Sequence, residues 1–138
     1  MKLVIDANIG LSALLPEADT ARALQLSADF RSGIHELLAP DLYLLEVGNT
    51  LVNAARSGKI PQSGLPVMFA DLMRTLPILY QSASLFPRAY AIASRIRVSV
   101  YDAVYLALSE REGCPLVSND TKFANAATGF SVVSLSSI

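Results

Sequence analysis

Five short aliphatic or β-branched runs recur along this chain: "KLVI" (2–5), "HELLAP" (35–40), "LPILY" (76–80), "CPLVS" (114–118) and "FSVVSL" (130–135). The stretches between them carry apolar residues at helical spacing. This alternation constrains the fold more than any other feature, because strands separated by helices imply a parallel sheet covered on both faces. The expected class is therefore α/β, with about five short parallel strands in one domain spanning 1–138.

The intervening helices can be drawn residue by residue. "NIGLSALL" forms a short helix that Pro16 ends. Residues 17–33 form another, with Ala21, Leu24 and Ala28 on its apolar face and Gly33 as its cap. Asp41 opens a long helix to about Arg56, and a further helix covers Pro66 to Arg74. Ser84 to Ile96 follows, with Pro87 in the first turn. "SVYDAVYLALSE" (99–110) is so apolar that it should bury most of its surface, and residues 120–127 complete the set.

Hydrophobic residues make up 52% of the chain, and the mean hydropathy is +0.42. No run reaches the roughly 18 uninterrupted apolar residues that a membrane span needs. The excess points to a self-association or partner surface, so a dimer or heterocomplex is expected. Lys2 leads into a run too short for a secretion signal, and Cys114 is the single cysteine, so a cytoplasmic location without disulfides is the default. Eleven basic and twelve acidic residues leave a net charge of −1. That denies the chain the broad positive field of a non-specific nucleic-acid binder. It leaves room for a nucleic-acid enzyme in which a bound cation supplies positive charge locally.

Four acids stand out against this oily background. Asp6 follows the first strand and Asp120 follows "PLVS", positions beyond the carboxyl ends of strands where α/β sheets bind ligands. Asp102 lies at the start of the helix before that strand. Each has a local reading too: Asp6 and Asp120 as helix caps, and Asp102 in a capping box with Ser99. Glu46 is mid-helix, where capping is unavailable, and shares a stripe with Asn49 and Asn53 that is either solvated or metal-facing. Like charges brought within a few ångströms need a cation, and an all-oxygen set suits Mg²⁺ or Mn²⁺. His35, the only histidine, reads as a packing or surface residue, and no glycine-rich phosphate loop is present.

Taken together, "LVIDANI", "LEVGNTL", "YDAVYLALSE" and "CPLVSNDTKF" resemble, in order, the motifs of the PIN-domain family, in particular its VapC-type toxin ribonucleases. Ala7 replaces a hydroxyl residue frequent there, at a position away from the metal. The resemblance covers nearly the whole chain and implies a three-layer α/β/α fold. It further implies a Mg²⁺-dependent ribonuclease that hydrolyses RNA phosphodiesters by metal-activated water, a homodimer, and inhibition by a small antitoxin. On this reading Asp6, Glu46, Asp102 and Asp120 are catalytic and hold the metal, while Asn8, Ser118 and Asn49 orient ligands or waters. Lys122 and Arg97 are candidates for contacting substrate phosphates. The alternative is a PIN-like module that binds RNA or protein without cleaving.

Overall fold

A computed structural model of the protein describes residues 1–16 and 20–138. The chain alternates as expected: β1 (Lys2–Ile5), α1 (Ala7–Leu14), α2 (Thr20–Arg31), β2 (Glu36–Pro40), α3 (Leu42–Arg56), α4 (Leu65–Arg74), β3 (Ile78–Tyr80), α5 (Ser82–Ala93), α6 (Val100–Glu112), β4 (Leu116–Val117), α7 (Thr121–Ala126) and β5 (Val132–Val133). The five strands are parallel and ordered β3-β2-β1-β4-β5. β1 is central, which explains why Leu3 and Val4 are both completely buried and why the run shows no alternation. From β1 the chain steps outward to β3, then returns across the sheet to start β4 on the other side of β1. The carboxyl ends of β1 and β4 therefore flank the switch point, where doubly wound sheets open a crevice.

α6 lies along β1, β2 and β4 with α5 packed on it, while α1 packs with α2, α3 and α4, completing a three-layer α/β/α fold. Every residue from Ala103 to Ser109 of α6 is buried. A helix buried on all sides shows almost no apolar–polar sidedness, which is why its sequence is oily throughout. Among the described residues no helix is long and apolar enough to cross a membrane.

Two expectations need correcting. In the stretch from 17 to 33, whose first three residues lie outside the described ones, the buried face carries Ala23 and Leu26, with Phe30 packed behind them. Ala21 is exposed and Leu24 is 50% exposed. Both sets obey helical spacing, and contact with α1 selects the second. α5 starts at Ser82, so Pro87 lies inside the helix rather than in its first turn. The cause is a reciprocal contact between helix starts. The Ser82 amide donates to Asp41 Oδ1 at 3.1 Å, and the Leu42 amide donates to Ser82 Oγ at 3.2 Å. These bonds satisfy two orphan amides and draw α5 back by two residues.

Candidate active site

β1 ends where Asp6 turns the chain into α1. The Asp6 amide continues the ladder to the Val117 carbonyl at 3.3 Å, and its Oδ1 accepts the Ile9 amide at 3.0 Å as an N-cap. Just past the end of the neighbouring β4, the buried Ser118 hydroxyl hydrogen-bonds the Asp6 carboxylate and also accepts the Asp120 amide at 3.2 Å. Asp120 in turn caps α7 by accepting the Phe123 amide at 3.0 Å. Ser99 caps α6, accepting the Asp102 amide at 3.0 Å, which sets Asp102 in the first turn. Glu46 arrives from α3, and the Tyr105 hydroxyl donates to its Oε1 at 2.7 Å.

All four acids line one small cavity of about 100 Å³, together with Asn8, Thr50, Tyr105 and a few apolar side chains. Among the described residues no lysine, arginine or histidine lines it. The electrostatic result is visible at three of the four. Burial pushes Asp6 up to about 6, and the Asp102 and Asp120 charges push the same way against the Ser118 and Ile9 bonds. Glu46 is raised by burial and by Asp102, opposed by Tyr105. Asp102 is raised by burial and by the Asp120 charge, opposed by Ser99. The Asp102 and Asp120 charges make the ionised forms of their neighbours less favourable, so the cavity is short of positive charge.

An oxygen-liganded divalent cation fits that deficit. Among the described residues no three acids, histidines or cysteines converge on one ion position. Mg²⁺ does not require such a cage, because it keeps several waters and takes only one or two carboxylates directly. Since a water occupies roughly 30 Å³, a cavity of this size accommodates an ion with a partial water shell.

Asp6, Glu46, Asp102, Asp120 and Asn8 thus share one cavity, and Ser118 stands directly behind Asp6. Asn49 does not join them. It is exposed and lines a separate apolar groove of about 1120 Å³ with Leu45, Phe86 and Tyr101, on the far side of Glu46. One helical position later, Thr50 faces the acids, because i+4 rather than i+3 falls on that side of Glu46. Tyr105 is the other site residue that sequence reasoning missed. Its spacing from Asp102, three positions along the same helix, was the available signal. Lys122 and Arg97 are exposed and line neither the acid cavity nor the groove. His35 precedes β2 at the amino ends of the strands, opposite the acid cavity, with its Nε2 3.7 Å from Asp29 Oδ2.

Residues 3–129 match the PIN domain family. Ribonuclease VapC3 of Pyrobaculum aerophilum is 32% identical over 126 residues, covering 90% of this chain and 93% of that protein. Among solved structures, a toxin–antitoxin complex from Klebsiella pneumoniae superposes with a TM-score of 0.66 at 16% identity, covering 96% of this chain and 97% of that one. Mycobacterium tuberculosis VapC20, described as a sarcin-ricin loop cleaving toxin, gives 0.67 at 18% identity over 93% and 95% of the two chains. The structural likenesses are at identities that speak for the fold alone. The sequence match, which runs through all four acid-bearing segments, goes further: this chain belongs to the PIN domain family.

Proposed function

We propose that the protein is a divalent-metal-dependent endoribonuclease that hydrolyses RNA phosphodiester bonds, acting as the toxin of a toxin–antitoxin pair. One observation carries the reading: four acids from four separate segments line one cavity of about 100 Å³ with no basic side chain among them. Capping accounts for Asp6 and Asp120 singly but not for the gathering of four carboxylates, which costs stability and is what a cation-dependent site needs. The sequence kinship to a chain named as a ribonuclease supports it.

Asp6, Glu46, Asp102 and Asp120 are the residues that would hold Mg²⁺, or Mn²⁺ in its place. When bound, the ion supplies a nucleophilic water at neutral pH and neutralises charge developing on the phosphoryl oxygens. The chain's own contribution is placement. Ser118 and the Ile9 amide hold the Asp6 carboxylate from two sides, fixing which oxygen faces the cavity. Tyr105 orients Glu46 by its 2.7 Å bond and keeps its charge from turning toward bulk water. Asn8 and Thr50 line the same cavity and offer polar groups to water or substrate oxygens. Walls formed by Leu11 and Phe123 limit how much bulk water enters.

Two partners belong to the proposal. A small antitoxin is expected, as in the complex from Klebsiella. A second copy is expected on the groove beside Glu46, where Leu45, Phe86, Tyr90 and Tyr101 leave large apolar side chains exposed around α3, α5 and α6.

The test incubates purified protein with total RNA in Mg²⁺ or in excess EDTA, beside Asp102→Asn prepared identically. Cleavage that requires the metal and disappears in a folded variant is the expected result. Identical products from both proteins would mean a contaminating nuclease. RNA binding by both without cleavage would favour the non-catalytic module.

A further inference from the structure

The acid cavity has a neighbour. A second pocket of about 430 Å³ adjoins it, sharing Asn8, Leu11, Thr50 and Asp120 with its wall. The two differ in what they can hold. The acid cavity, at about 100 Å³, is too small for a nucleotide. The neighbour lies within the range of roughly 300 to 1,000 Å³ typical of small-molecule sites. Its lining is also different in kind, mixing apolar Ile9 and Leu15 with polar Ser12 and Asn119 and one cation, Lys59.

Among the described residues Lys59 is the only basic side chain lining either pocket, and it makes no ion pair with any of them. Its position is set by the fold rather than left to a loose loop. α3 ends in a Schellman motif: Gly58 takes φ +80°, its amide donates to the Ala55 carbonyl at 3.2 Å, and the Lys59 amide donates to the Ala54 carbonyl at 2.9 Å. Ile60 is then buried, anchoring the chain immediately after the lysine. The result is a fixed backbone position from which the exposed Lys59 side chain reaches the rim of a site whose other charged groups are all acids.

We infer that this pocket seats the nucleotide adjoining the scissile phosphate, with Lys59 holding a phosphate of the RNA strand. The inference rests on the ribonuclease reading above and names a residue that reading did not supply. Its physical basis is charge. An RNA strand approaching four carboxylates on a protein of net charge −1 meets no general attraction. A cation in the acid cavity serves the phosphate that reacts, and the adjacent phosphate needs its own counter-charge. Lys59 is the group in position to provide it, in place of Lys122 or Arg97, which line neither pocket.

The experiment compares wild type, Lys59→Ala, Lys59→Arg and Arg56→Ala, the last a cation one turn back on α3 that lines neither pocket. Steady-state cleavage is measured on a fluorescein-labelled RNA carrying a cut mapped in total RNA. Binding of a mixed-sequence labelled single-stranded RNA is followed by anisotropy across a salt series. Lys59→Ala should raise KM about tenfold with kcat little changed, as loss of one charge-assisted contact predicts. It should also lower the salt slope of log Kd by about 0.7, the value for one phosphate contact on a single strand. Lys59→Arg should retain most of both. If wild type cleaves and Lys59→Ala matches Arg56→Ala, the inference falls while the nuclease stands. If wild type binds RNA through Lys59 without cutting, the nuclease reading falls and takes with it the placement of this pocket beside a scissile phosphate. Absence of both binding and cleavage removes both. An unchanged KM with loss of a copurifying protein partner would assign the pocket to that partner and overturn the inference.

Discussion

Asp6 shows how a single residue carries both local structure and chemistry. It is a true N-cap, as its spacing before "NIGLSALL" allows, and capping alone would be served as well by asparagine. Its folded pKa is raised from 3.8 to about 6, so the folded state favours the protonated form. The stability this gives is complete below pH 4 and is lost as pH rises through 6, at a cost of about 3 kcal/mol by neutral pH. Glu46 and Asp102 shift in the same direction. In metal-free buffer, Asp6→Asn should therefore melt above wild type at neutral pH, and the gap should close toward pH 4. Added Mg²⁺ should raise the wild-type Tm at neutral pH, because it binds only the folded state, and raise that of the variant less. Melting temperatures that differ by a constant across the pH range would refute this account. Asp6 and Glu46 were legible in the sequence because charges are conspicuous in an oily chain. Tyr105 was not, since a tyrosine in a buried helix looks like core until its hydroxyl is seen 2.7 Å from a carboxylate.

At the scale of elements, the site depends on helices that meet closely at their starts. α1 and α3 approach so tightly that a methyl group built on Gly10 would come within 2.0 Å of the Tyr43 hydroxyl oxygen. Tyr43 is buried and cannot swing aside, so Gly10→Ala should destabilise the fold by about 1–3 kcal/mol, the usual cost of overpacking. A lowered Tm with a red-shifted or altered near-UV tyrosine signal checks it, and an unchanged Tm would mean the two helices slide freely. The element boundaries in α1, α3 and α6 follow from local signals: Pro16, Asp41 and the Ser99 cap. The start of α5 does not, because it is drawn back by Asp41 from forty-one residues away. The face of α2 fails for a related reason. Two registers satisfy helical spacing, and only the neighbour α1 distinguishes Leu26 from Leu24. The same one-position ambiguity on α3 separates Thr50, which faces the acids, from Asn49, which does not.

For the whole molecule, the strand order is the decisive property. Placing β1 between β2 and β4 brings the ends of two strands more than a hundred residues apart to one crevice, with Asp6 on one and Ser118 and Asp120 on the other. The same architecture leaves α3, α5 and α6 presenting an apolar groove that one chain does not cover. If a second copy covers it, Leu45→Glu should convert a dimer into a monomer by light scattering, since Leu45 is 76% exposed and contributes little to its own fold. Equal masses for wild type and variant would exclude that groove as the dimer interface.

Alternating apolar runs and helical stretches were enough, by themselves, to determine the class of this protein and the order of its elements, and the scarcity of charge among them singled out four acids that share one cavity. Those signals are local in the chain, arising from backbone preference and from the cost of burying charge. The burial partners, the choice of face on α2 and α3, and the pairing of Lys59 with a pocket beside the acids were decided only in three dimensions. Each depends on contacts between segments distant in sequence, and helical periodicity is indifferent to which neighbour a face will meet.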